Sequence, residues 1–230
     1  MPDSMDNTSD QQLLASQVYQ RLLDFYGTPE WQTALSPMDE LVSSILSQTT
    51  NDRNRDVAFN RLKQVFPAWE EVREADPLAV IECIRPAGLA NQKGPRIQKV
   101  LKEISTERGN LDLTFLKDQP VEEASAWLTH FNGVGPKTAA IVLQFALDTP
   151  AFPVDTHIYR VSGRLGLRPE KMTVEQAHPH LASLFHPSTY GPAHLNLIRL
   201  GREICQARKP KCSICPLSDI CQYNLKNCLI

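Results

Sequence analysis

The chain has 230 residues, 42% hydrophobic and 22% charged, with a formal net charge of −2 from 24 basic and 26 acidic side chains. That length supports one large domain or two small ones around a core that needs no stapling. No apolar run approaches the ~20 residues of a membrane span, and the polar, acidic start does not read as a secretory leader, so a soluble, intracellular protein is expected.

Residues 1–30 carry Asp3, Asp6, Asp10, Asp24 and Glu30 against Arg21 alone, a balance of −4 that leaves +2 for the rest. The acidic start reads as a solvated, mobile end. Near-neutral charge argues against a broad phosphate-tracking surface but leaves room for a local basic patch. An amphipathic helix is predicted over 11–26 from Leu13, Leu14, Val18, Leu22 and Leu23, ended by Gly27 and Pro29. Ser36-Pro37-Met38-Asp39 is a cap followed by proline at the first helical position, predicting a helix over 37–49. Further helices are predicted at 55–65, at 77–85 behind Asp76-Pro77, and at 92–107, 121–130, 138–147, 156–166, 174–185 and 193–204. No segment alternates as a strand, so the fold class is all-α. The loops at 107–120 and 149–155 are candidate domain boundaries.

Three motifs carry chemistry. Gly133-Val134-Gly135-Pro136 separates two helical stretches and leads directly to Lys137. Glycines let another backbone approach closely, and the amides that open the next helix favour an anion such as a phosphate. Taken alone, the motif is equally well an ordinary interhelix turn, and Lys137 an ordinary surface charge. A lysine becomes a nucleophile where nearby positive charge favours its neutral amine. About twenty residues on, Asp155 in Val154-Asp155-Thr156-His157 reads first as a helix N-cap, and His157 is assigned no chemistry.

The third motif is Cys205-x6-Cys212-x2-Cys215-x5-Cys221, with Cys83 and Cys228 standing apart. Four clustered thiols point to metal rather than disulfides. Ligand type alone does not decide between zinc and iron–sulfur, and the bare count favours zinc. Arg208, Lys209 and Lys211 between the first two cysteines are either a solvated charge run or phosphate contacts.

The cysteine spacing resembles the iron–sulfur loop of the endonuclease III family of helix–hairpin–helix DNA glycosylases. The order of hairpin lysine, Val-Asp-Thr-His and cysteine loop matches that family along most of the chain. The resemblance implies a [4Fe–4S] cluster held by Cys205, Cys212, Cys215 and Cys221, with Lys137 and Asp155 catalytic. It implies DNA contacts at Gly133, Gly135, Thr138, Arg208, Lys209 and Lys211. Ile45 to Thr50 resembles the segment whose glutamine, here Gln48, enters the space left by an extruded nucleotide. Gly88 to Lys93 resembles the segment whose leucine, here Leu89, wedges into the duplex.

The implied architecture is two helical lobes with a DNA groove between them. One is a barrel lobe over 30–149, and the other a cluster lobe over 1–29 plus 150–230. The implied function is removal of an oxidised base, a pyrimidine for preference, and strand nicking by β-elimination through a lysine Schiff base. The partner would be double-stranded DNA with damaged bases or abasic sites. A monomer is expected, cytoplasmic and nucleoid-associated if bacterial. Nine residues follow Cys221, which leaves no room for the extra domain of the adenine-mismatch relatives. Asn132 and Pro136 depart from the family, which commonly has proline and a basic residue there. Rival readings are an abasic-site lyase with weak base removal, a non-catalytic DNA-binding cluster protein and a zinc-binding helical module.

Overall fold

The computed structural model describes residues 5–30 and 35–227, and every regular element among them is helical. Cys228 lies outside the described residues. Local capping explains several of the starts. Ser36 Oγ accepts from the Asp39 amide at 3.2 Å, with Pro37 opening α2 (Pro37–Ser47). Asn51 Oδ1 accepts from the Asn54 amide at 2.9 Å and starts α3 (Asp52–Val65) three residues before its predicted position. Asp76 caps α5 (Pro77–Ile84) through the Leu78 amide at 3.1 Å. Each cap satisfies an amide that the first helical turn leaves unpaired.

Four features depart from expectation. The first helix, α1 (Met5–Tyr26), begins at Met5, so part of the acidic start expected to be mobile is helical. A helix α4 (Trp69–Glu74) was not predicted, because six residues are too few to show a period. α6 (Ala90–Arg108) and α7 (Val121–Thr129) follow, and then α8 (Pro136–Ile141). The helix expected through residue 147 stops at Ile141, where the chain widens into a π turn, Val142–Ala146, closed by the Leu147 amide on the Val142 carbonyl at 3.2 Å. The last part of the chain contains α9 (Thr156–Leu165), α10 (Val174–Leu184), α11 (Tyr190–Glu203) and an unpredicted α12 (Gln222–Asn227).

The chain divides into two compact units, Ala34–Thr149 and Met1–Thr33 with Pro150–Ile230. The 107–120 loop, one expected boundary, lies inside the first of these. It contains a 3-10 turn, Thr114–Asp118, that buries Leu116. In Ala34–Thr149, α5 packs on α6 and α2 on α3, burying Leu41, Ile45, Leu62, Ile84, Ile97 and Leu101. In the other unit α9 packs on α11, and α1 closes over them through Ala15, Val18 and Leu22.

Candidate active site

In the Ala34–Thr149 unit, α7 and α8 flank the glycine turn. An aromatic group fixes α7: Trp127 meets Phe115 edge-on at 5.0 Å between centroids and Phe131 at 4.8 Å. His130 Nε2 lies 2.9 Å from Glu107, and its Nδ1 faces the Trp127 carbonyl. Burial alone would lower the His130 pKa, but the Glu107 hydrogen bond, the Trp127 carbonyl and the charges of Glu107 and Glu103 outweigh it and raise it. The turn buries Val134 and needs glycine at 133, where φ is +95°. Gly135 is the N-cap of α8 at φ −92° and has open space where a Cβ would stand.

Lys137 follows in the first turn of α8 and is exposed. Thr138, expected to contact DNA, is only 5% exposed. Asn132 and Pro136 are exposed on either side of the glycines.

Two other segments converge on this region of the unit. Gln48 ends α2; its Nε2 donates to the Gly133 carbonyl at 3.1 Å. Its Oε1 accepts from Arg96 Nη1 at 3.0 Å. Leu89 precedes α6 in a left-handed conformation, φ 51°, and remains 48% exposed. It borders an open surface cavity shared with Arg85, Ala90, Asn91 and Gln92.

Lys93, which sequence reasoning did not single out, joins the two segments. It is 1% exposed, and its amine donates to the Leu46 carbonyl at 2.7 Å and the Ala87 carbonyl at 2.8 Å. These carbonyls lie two residues before Gln48 and two before Leu89, so one ammonium ties down both approaches. Burial, reinforced by the charge of Arg96, lowers the Lys93 pKa from its ordinary 10.5. The only sequence signal was a lysine at a position where the α6 apolar face points inward.

Asp155 belongs to the other unit, where it caps α9: its Oδ1 accepts from the Ile158 amide at 2.7 Å. The same unit contains the cysteine loop. Cys205, Cys212, Cys215 and Cys221 line one small cavity together with Arg164, Lys211 and Tyr223. A short 3-10 turn, Cys212–Ile214, brings the second and third cysteines to the same rim. Among the described residues no three His, Cys, Asp or Glu side chains close round a point as a single metal ion requires. Zinc needs all four sulfurs about 2.3 Å from one centre, whereas a polynuclear cluster takes them at separate irons. The donor set, four thiols lining one cavity, fits an iron–sulfur cluster.

Burial pushes the Cys215 thiol up to about 11 and raises that of Cys221. Two arginines one helical turn apart on α9, absent from the sequence reading, brace the loop. Arg164 donates to Cys205 Sγ at 3.3 Å and to the Gln206 and Ala207 carbonyls at 2.7 and 3.0 Å. Arg160 donates to the Cys205 carbonyl at 3.0 Å. Arg208, Lys209 and Lys211 are exposed beyond it. Among the described residues no helix is long and apolar enough to cross a membrane.

Comparison with known proteins places these features in a family. Residues 42–187 match the model of the HhH-GPD superfamily of base excision DNA repair proteins, and 205–221 match the iron–sulfur binding domain of endonuclease III. The chain is 32% identical to endonuclease III of Thermotoga maritima over 187 residues, 81% of this chain and 83% of that one. A candidate DNA glycosylase of Arabidopsis thaliana is 40% identical over 146 residues, 64% of this chain but only 50% of that protein. A trapped covalent endonuclease III–DNA intermediate superposes with a TM-score of 0.81 at 25% identity, covering 94% of this chain and 97% of the other. The chain thus belongs to the endonuclease III family of base excision DNA repair glycosylases, whose cofactor is a [4Fe–4S] cluster.

Proposed function

We propose that this protein is a bifunctional glycosylase and abasic-site lyase that acts on double-stranded DNA carrying oxidised pyrimidines or abasic sites. The observation that carries the reading is Lys137, an exposed amine in the first turn after a glycine hairpin, in a member of this family. The damaged nucleotide is extruded, at a cost that is smaller for a poorly stacked lesion. Leu89 wedges the duplex, and Gln48 enters the vacated space. The neutral Lys137 amine attacks C1′; the bond from C1′ to the base breaks, and the base leaves with a proton. Opening of the sugar gives an imine. Loss of a C2′ proton then expels the 3′ phosphate, and water releases the lysine.

Asp155 spends Oδ1 on its helix cap and has Oδ2 to stabilise positive charge developing on the sugar. Cys205, Cys212, Cys215 and Cys221 hold the cluster, which cross-links a loop presenting Arg208, Lys209 and Lys211 to phosphates. When bound, the cluster supplies a rigid, redox-capable centre, and none of the steps above passes through it. The proposed working form is a monomer, cytoplasmic and nucleoid-associated if the source is bacterial.

Lys137→Ala is expected to abolish borohydride trapping of an enzyme–DNA adduct on an abasic duplex while the protein stays folded, since the side chain is exposed. Undiminished trapping in that variant would overturn the assignment. Asn132 and Pro136, exposed where the family has proline and a cation, favour a second reading: a lyase with narrowed base removal. Parallel assays on oxidised-pyrimidine and abasic duplexes separate the two.

A further inference from the structure

The hairpin lacks a basic residue at position 136, yet a cation stands over it. Arg96, from the second turn of α6, packs against the turn so closely that a Cβ at Gly133 would fall 2.1 Å from its Cδ and 2.6 Å from its Nε. Its Nη1 donates to Gln48 Oε1 at 3.0 Å, and Gln48 in turn donates to the Gly133 carbonyl at 3.1 Å. A guanidinium has five N–H donors, of which this bond uses one.

Five other arginines have carboxylates to neutralise them, Arg21 with Asp219, Arg55 with Asp56, Arg73 with Glu74, Arg85 with Glu82 and Arg199 with Glu203, whereas Arg160, Arg164 and Arg168 spend their donors on several backbone carbonyls. Among the described residues no carboxylate pairs with Arg96, although it is half-buried in a chain of net charge −2. A half-buried cation without a counter-charge is costly unless a ligand anion supplies one. The glycine at 133 serves two ends here: it supplies the positive φ, and it leaves the room that the arginine fills.

We propose that Arg96 is the hairpin's phosphate-binding cation, doing the work of the basic residue missing at 136. It is a DNA-contacting residue supplied from α6, and its bond to Gln48 makes the hairpin and the end of α2 one unit for engaging a single DNA backbone. The proposal rests on the DNA-repair reading above and adds a contact that neither motif reveals.

The test is the salt dependence of binding to a duplex with a stable abasic analogue, using full-length, cluster-loaded protein. Each phosphate contact adds about 0.9 to the slope of log affinity against log salt. Arg96→Met is expected to lower the slope by about one, weakening binding to lesion-containing and intact duplexes alike. Arg96→Lys, which keeps the charge but loses the fork, is expected to restore most of the slope.

A slope in Arg96→Met equal to that of the parent, at an unchanged thermal midpoint, would sink the proposal. If Arg96→Met proves unstable, a slope in Arg96→Lys lower than the parent's by about one has the same force against it, because the charge is retained there. A purely structural arginine would shift the midpoint and leave the slope alone. Failure of the broader reading is separable: the parent protein would then bind no duplex and form no trapped adduct.

Discussion

Asp155 caps α9 and, in the proposed mechanism, also stabilises charge on the sugar; asparagine separates the two roles. Asparagine is as good an N-cap as aspartate but carries no charge. Asp155→Asn is therefore expected to keep the thermal midpoint while lowering base-removal turnover by about 100-fold or more; single-turnover assays beside a melting curve check both halves. A loss of stability with activity intact would leave the residue only its capping role. The glycine turn before Lys137, the Asp155 cap and the clustering of the four cysteines were legible in the sequence because each rests on residues close together in the chain. Arg96 and Lys93 were not. Their partners lie 48 and 47 residues away, at Gln48 and Leu46, and nothing local in α6 marks those contacts.

Among elements, α2 and α5 were readable from their caps and α6 and α7 from their apolar period, while the short α4 and α12 were not. A serine or aspartate before proline sets a start through bonds within three residues, so α2 and α5 appeared where expected. The π turn after α8 and the short α4 answer to tertiary packing instead. In α4 that packing fixes the end: Gln98 Nε2 donates to the Val72 and Ala75 carbonyls at 3.0 and 2.8 Å. Lys93 plays the same part for α2 and for the turn before Leu89. Replacing it with methionine keeps the volume but strips the donor from two carbonyls, a loss of about 1–3 kcal/mol by urea denaturation.

The pH dependence gives a second readout of Lys93. Its amine is held below its ordinary 10.5 when folded, so the unfolded chain binds that proton more tightly. This group's contribution to stability therefore rises with pH from the lowered folded value up to the ordinary one. Lys93→Met should flatten that rise, and a profile parallel to the parent's would show that the amine titrates alike in both states.

At the scale of the molecule, the chain's near-zero charge conceals an uneven allocation. Five arginines are paired with neighbouring carboxylates, while among the described residues the cations at the hairpin and on the cysteine loop form no ion pair. Composition alone argued against nucleic acid because it counts charges without their partners. The cluster loop lies wholly within the unit that contains Pro150–Ile230. Cys215→Ala is expected to lose iron and visible absorbance and to raise amide exchange over residues 205–221 and in α9, where Arg160 and Arg164 lose their anchorage. Exchange in α6, in the other unit, should not change.

Leu89 stands apart from all of this: a leucine held at φ 51°, half in water, at a cost of about 1–2 kcal/mol relative to a residue without a Cβ. Glycine would relieve it and sacrifice almost no packing. Heat-challenged libraries sorted only for folded protein should therefore drift to Leu89→Gly and return robust molecules without the side chain proposed to pry open the helix. Any programme to harden this protein for use has to screen on damaged duplexes from its first round.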